Sequence, residues 1–198
     1  MTILMTLENK IIQLSKEIES CKKCKLYKTR NKVVIGEGSI NSKILFIGEA
    51  PGANEDIQGK PFVGRAGKIL DELLNSINIT RNEIYITNIL KCRPPKNRDP
   101  LKKEKQVCTN FLDKQIKLIN PRIIVPMGNH AASFIFKKFG LKYDKITNVH
   151  GEIYKINTKS NLFIIIPAFH PAVSTYNPNT KKILFNDFKI IKKQSESF

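Results

Sequence analysis

Tryptophan is absent from this chain, and histidine, methionine and cysteine number only three, three and four. In a reducing compartment these cysteines are not expected to form structural disulfides. The segment Met1–Asn9 has neither a basic head nor a signal-length apolar run, so no export signal is read there and a cytoplasmic protein is expected. Long apolar runs are missing too. Lys43–Gly48 and Leu162–Pro167 have strand length, far short of the roughly 18 residues a membrane span needs. Repeats, low-complexity tracts and linkers are not found, which leaves a single domain over residues 1–198. Acidic residues are scarce: 17 against 34 basic ones, for a net charge of +17.

What is present fills in the picture. A hydrophobic fraction of 41% supports a folded core. The charge suits a polyanionic partner. However, 28 of the basic residues are Lys and six are Arg, alongside abundant Asn and Ile, and an A·T-rich genome gives the same mixture. Charge alone therefore leaves the partner open. The cysteines stand at 21, 24, 92 and 108, and in a reducing compartment they point to metal binding.

Apolar spacing predicts a helix within Ile3–Ser20 and another carrying Ile69, Leu70, Leu73, Leu74 and Ile77. Further helices are expected over Leu101–Leu118, Asn129–Phe139 and about Thr180–Lys193. Strands are expected at Lys43–Gly48, Glu83–Asn88 and Arg122–Pro126, with Glu152–Asn157 and Leu162–Ile166 forming a hairpin or a fourth strand plus an edge. Alternating β and α segments imply a three-layer α/β/α fold on a mostly parallel four-stranded sheet. Sites in such sheets form at the carboxyl ends of the strands. The unusual residues cluster there: Glu49-Ala-Pro-Gly52 after the first strand, Asn88 after the second, Met127-Gly-Asn after the third and Phe169-His-Pro171 after the last.

The strongest single signal is the Gly/Pro-rich loop Glu49–Arg65. Its glycines permit close backbone approach to a ligand. A dinucleotide-binding loop is excluded, because no Gly-x-Gly-x-x-Gly links strand directly to helix. About seventeen residues without secondary structure in a compact domain signal function rather than plain connection.

Taken with Asn88, Cys92-Arg-Pro-Pro95, Asn97-Arg-Asp-Pro100 and Phe169-His-Pro-Ala172, this loop resembles the family 4 uracil-DNA glycosylases, in order, from about Cys21 to Pro178. The resemblance implies an enzyme that flips uracil out of single- or double-stranded DNA. It would hydrolyse the N-glycosidic bond and leave an abasic site, as a monomer. Phe62 resembles the ring that stacks on uracil, and Asn88 the carboxamide that reads N3–H and O4. Glu55 resembles the residue near C5 that excludes thymine's methyl group. His170 resembles the donor to uracil O2. Gly48 and Ala50 belong to the uracil-contacting set. Glu49 is the candidate for orienting the attacking water and steadying the cationic sugar; related enzymes carry an Asp one residue later, where this chain has Ala50, so either Glu49 acts directly or leaving-group stabilisation carries the reaction. The four cysteines are implied to hold one [4Fe–4S] cluster. Tetrahedral zinc remains a rival, although only one Cys-x2-Cys pair is present. Phosphate contacts are expected from Lys60, Arg65, Arg93, Lys96 and Arg98. Val173 or Tyr176 is expected to fill the vacated base stack. His130 and His150 are read as structural.

Two other classes stay in view. One is a uracil-binding relative trapped covalently on the abasic sugar; its basic insert ends in His, whereas Lys96-Asn-Arg-Asp-Pro100 has none. The other is a non-catalytic iron–sulfur DNA-binding module, against which Glu49, Asn88 and His170 together argue.

Overall fold

Residues 5–158, 161–175 and 177–197 are described by the computed structural model. Helix α1 (Leu7–Glu19) starts where Thr6 accepts the Asn9 amide at 3.3 Å, and it buries Leu14 and Ile18. The sheet holds β1 (Glu37–Gly38), β2 (Ile44–Gly48), β3 (Tyr85–Asn88), β4 (Ile123–Pro126), β5 (Tyr154–Asn157) and β6 (Leu162–Ile165), in the order β1-β3-β2-β4-β6-β5. The inner four are parallel, as the sequence led us to expect, and the edges β1 and β5 are antiparallel. The sheet therefore has six strands rather than four. The two-residue β1 is too short to show any periodicity.

Every residue of β2 is buried, because the sheet is covered on both faces. Alternation sends Leu45 and Ile47 to one core and Ile44 and Phe46 to the other. The first core is closed by α1, α4 (Lys102–Ile119) and α5 (Asn129–Lys138). The second is closed by α3 (Arg65–Ser76) and α7 (Pro178–Ser195), through Leu70, Leu73, Leu184 and Phe188. Truncating a side chain such as Leu73, which has no exposed surface, costs roughly 2–5 kcal/mol.

The Glu49–Arg65 segment is not structureless. It contains α2 (Ala53–Gln58), whose Glu55 accepts the Gly52 amide at 3.1 Å as a capping group. Gly59 ends the helix in the left-handed region at φ +78°, donating to the Glu55 carbonyl at 2.7 Å. A six-residue helix with only Ile57 and Ala53 apolar leaves no periodic stripe to detect, and Ile57 is exposed. Among the described residues no helix is long and apolar enough to cross a membrane. The short helix α6 spans Ile146–Val149.

Candidate active site

A cavity of about 490 Å³ opens where β2 and β3 end. That volume suits a small ligand. Glu49, Glu55, Phe62, Asn88 and His170 all line it, from three separate stretches of chain. Parallel pairing sets Gly48 beside Asn88, and the Ile89 and Leu90 amides then bond the Gly48 and Glu49 carbonyls at 3.0 and 2.9 Å. The Met127–Ala168 bridge extends the β4 side of the sheet and delivers His170 to the same rim. The Gly128 amide donates to the Ala168 carbonyl at 2.9 Å, and a methyl group on Gly128 would come within 3.1 Å of the His170 Cβ.

The Phe62 ring faces His170 with centroids 5.6 Å apart and planes 29° from parallel. Its backbone sits at φ +54°, a strained region for a side-chain-bearing residue. Asn88 is buried and lines the cavity, and its carboxamide has no hydrogen-bond partner among the described residues. Behind it, the buried Lys91 ammonium donates to the Asn88 carbonyl at 2.7 Å, and to Thr87 Oγ1 and Gln115 Oε1 at 2.6 Å. A methyl on Gly48 would sit 2.3 Å from Asn88 Oδ1 and 2.7 Å from Phe62 Cζ, so glycine is what lets the two approach.

His170 Nδ1 accepts the Ala172 amide at 3.2 Å, which leaves the ring proton on Nε2. Burial pushes its pKa down to about 4, against a small opposing pull from Glu55. The imidazole is therefore neutral at pH 7 and has one N–H to offer. Glu49 is half-buried. Desolvation raises its carboxyl above the ordinary range, Asp99 adds to this, and His130 and Lys105 oppose it.

Glu55 is no solvated loop carboxylate. One oxygen accepts the Val63 and Gly64 amides at 3.0 and 2.9 Å while the other caps α2, so the side chain ties the loop beneath the cavity. Ala50 lines the cavity as well.

Among the proposed phosphate contacts, Arg65 is exposed on the cavity lining. Lys96 is exposed, on a turn with φ +53°. Arg98 also lines the cavity, but its guanidinium makes a two-pronged pair with Glu104 at 2.7 and 2.9 Å. Lys60 pairs with Glu37 at 3.1 Å, and Arg93 donates to Asn97 Oδ1 at 2.7 Å. All three have an acidic or amide partner, and of them only Arg98 lines the cavity. Val173 is exposed on the turn Pro171–Thr175, and Tyr176 lies outside the described residues.

Sequence reasoning missed two neighbours. His130, read as structural, has Nε2 at 3.8 Å from Glu49 and 3.7 Å from Asp99. Its place two residues past Gly128, just beyond a strand's carboxyl end, was the available signal. Asn97, which the sequence presents only within Asn97-Arg-Asp-Pro100, lines the cavity. His150, by contrast, pairs with the buried Asp187 at 3.0 Å and packs on Phe169, as a structural residue would.

Behind the rim, all four cysteines border one apolar cavity. Among the described residues, no three cysteine sulfurs lie within 4.8 Å of one another. Arg30 donates to Cys92 Sγ at 3.1 Å, and the Lys91 amide donates to Cys108 Sγ at 3.2 Å. Burial pushes the Cys108 thiol up to about 11.

Comparison with known proteins adds an independent line. Residues 35–189 match the family model described as the uracil DNA glycosylase superfamily. A type-4 uracil-DNA glycosylase of Sulfurisphaera tokodaii is 47% identical over 181 residues, covering 91% of this chain and 82% of the relative. One from Archaeoglobus fulgidus is 45% identical, covering 89% and 88%. The crystal structure of Pedobacter heparinus SMUG2 superposes with a TM-score of 0.56 at 14% identity, over 98% of this chain and 99% of that one, a likeness of fold alone.

Proposed function

From the premise that this chain belongs to the type-4 uracil-DNA glycosylases, we propose that it excises uracil from DNA in the cavity at the ends of β2 and β3. The observation that carries this reading is the meeting of an aromatic ring, an unpartnered carboxamide and a single-tautomer imidazole around one small cavity.

The chemistry follows from those groups. A flipped uracil lies against Phe62, exchanging its place in the DNA stack for a new one. Asn88 accepts from N3–H through Oδ1 and donates to O4 through Nδ2; cytosine presents the reverse pattern at both atoms. As the bond between C1′ and N1 breaks, its electron pair passes to the base and collects partly on O2. The neutral His170 Nε2–H donates to O2, an interaction that strengthens as the anion develops. Glu49 holds the water that adds to C1′ and opposes the positive charge on the sugar. The water's proton passes to Glu49 and on to solvent, the uracil anion takes up a proton as it leaves, and the products are free uracil and an abasic deoxyribose. Glu55 lies at the uracil C5 side, where bulk excludes a methyl group. Arg65 and Lys96 contact phosphates, and Val173 fills the vacated stack. With six arginines and 28 lysines, binding to single- or double-stranded DNA is strongly salt-dependent.

Four cysteines bordering one apolar cavity are the kind of donor set that a [4Fe–4S] cluster takes. Tetrahedral zinc sites favour two tight Cys-x2-Cys pairs, and this chain has one, Cys21-Lys-Lys-Cys24. The two donors aimed at Cys92 and Cys108 are the hydrogen bonds such sulfurs take. Cys21, Cys24, Cys92 and Cys108 would ligate it, and it would supply structure, joining the end of α1 to the loop that carries Asn97.

The reading is tested by incubating the protein with a uracil-containing oligonucleotide and then treating with alkali. Cleavage at the uracil position is expected. A stable protein–DNA adduct, or an intact strand, would contradict it.

A further inference from the structure

We infer that Arg81, anchored by Asp71, is a positioning residue that sets the Phe62 ring for stacking on the base. Arg81 lies on the turn Arg81–Glu83, just before β3, and does not line the cavity. It is partly buried all the same, with its side chain 25% exposed. Its guanidinium donates through Nη2 to the Phe62 carbonyl at 2.6 Å and through Nη1 to the Pro61 carbonyl at 3.2 Å. Nε donates to Asp71 Oδ1 at 2.6 Å, and Glu37 lies 3.8 Å from Nη1. A planar fork with fixed donor directions is suited to hold two successive carbonyls at once.

Those carbonyls belong to the strained part of the loop. Phe62 is held at φ +54°, a conformation that persists only where the surroundings over-determine it. They do so from both sides. Arg81 takes the carbonyls of residues 61 and 62, and Glu55 takes the amides of residues 63 and 64. Gly67 in α3 closes the third side, since a methyl there would fall 1.8 Å from the Phe62 oxygen. The ring that results stands 5.6 Å from His170, at the edge of the space we assign to uracil. Without the fork, the backbone relaxes out of the left-handed region and the ring swings off the base.

This rests on Phe62 being the stacking residue, and the test separates the two claims. Single-turnover excision is measured for wild type, Arg81→Gln, Arg81→Lys, Phe62→Ala and the double variant Arg81→Gln/Phe62→Ala. Arg81→Gln should slow excision about ten-fold, the scale of one lost base-stacking contact. Arg81→Lys, reaching one carbonyl, should recover part of that. In the Phe62→Ala background Arg81→Gln should cost less than two-fold, because the ring it positions is gone. An undiminished rate in Arg81→Gln, or the same loss with and without the ring, would overturn the inference. A second readout needs no substrate. The Phe62 ring resonances of the free protein should move in Arg81→Gln while those of the Phe46–Phe188 pair stay; an unmoved Phe62 ring also overturns the clamp. Should Arg81→Gln not fold, Asp71→Asn gives the same cycle with a two- to five-fold loss, and additivity there counts equally against it. Phe62→Ala with wild-type activity would instead remove Phe62 from the uracil site.

Discussion

Replacing His170 by Ala removes one neutral donor from the cavity, and two consequences can be worked from the structure. The first is kinetic. A donor directed at an oxygen on which charge develops contributes roughly 2.7–4 kcal/mol to the barrier, or about 100- to 1000-fold in rate. Because the Ala172 amide fixes the proton on Nε2, no other tautomer compensates in the wild type, and the full effect is expected. The second is thermodynamic. The folded imidazole titrates near 4, below its ordinary 6.5, so unfolded chains bind a proton that folded chains refuse. Above pH 6.5 both states are neutral and nothing changes. Stability falls as pH drops from 6.5 toward 4 and levels off below, by roughly 3 kcal/mol in all. His170→Ala should flatten that fall while slowing single-turnover excision at pH 7.5. Urea midpoints at pH 7.5, 5.5 and 4.5, beside quenched-flow excision, read both. A loss under ten-fold, or an unchanged pH dependence of stability, would refute the placement of a neutral imidazole in the cavity.

Other outcomes follow from the same geometry. Glu49→Gln should slow excision about a hundred-fold while sparing affinity for uracil-containing DNA. Wild-type activity should fall as acid protonates Glu49, at a pH above the ordinary carboxylate range, and that acid limb should be missing in the variant's pH–rate profile. Gly48→Ala forces a methyl between Asn88 and Phe62; about 1–3 kcal/mol of stability should be lost, read as a lower urea midpoint, together with most activity. Cys92→Ser should lower the iron content and the broad absorbance near ~400 nm of the purified protein, and it should reduce Tm.

The inner sheet and most helices were legible because burial imposes period: continuous apolar runs for β2 and β4, a 3.6-residue stripe for α3. The site was legible where chemistry and topology coincide, as at Asn88 and His170, which stand at the carboxyl ends of parallel strands. What escaped depends on contacts distant in sequence. Nothing near Arg81 announces that it reaches Phe62, nineteen residues earlier. Nothing near Arg98 or Lys60 announces their pairing with Glu104 and Glu37. His130 looked like one more helical residue until α5 brought it to Glu49. The short α2 lacked the apolar stripe by which helices are found.

A crystal of the protein soaked with free uracil tests the central claim most directly. The base should lie flat against Phe62, with N3 and O4 toward the Asn88 carboxamide and O2 at His170 Nε2. Uracil bound elsewhere, or seated with O2 turned toward Asn88, would contradict it.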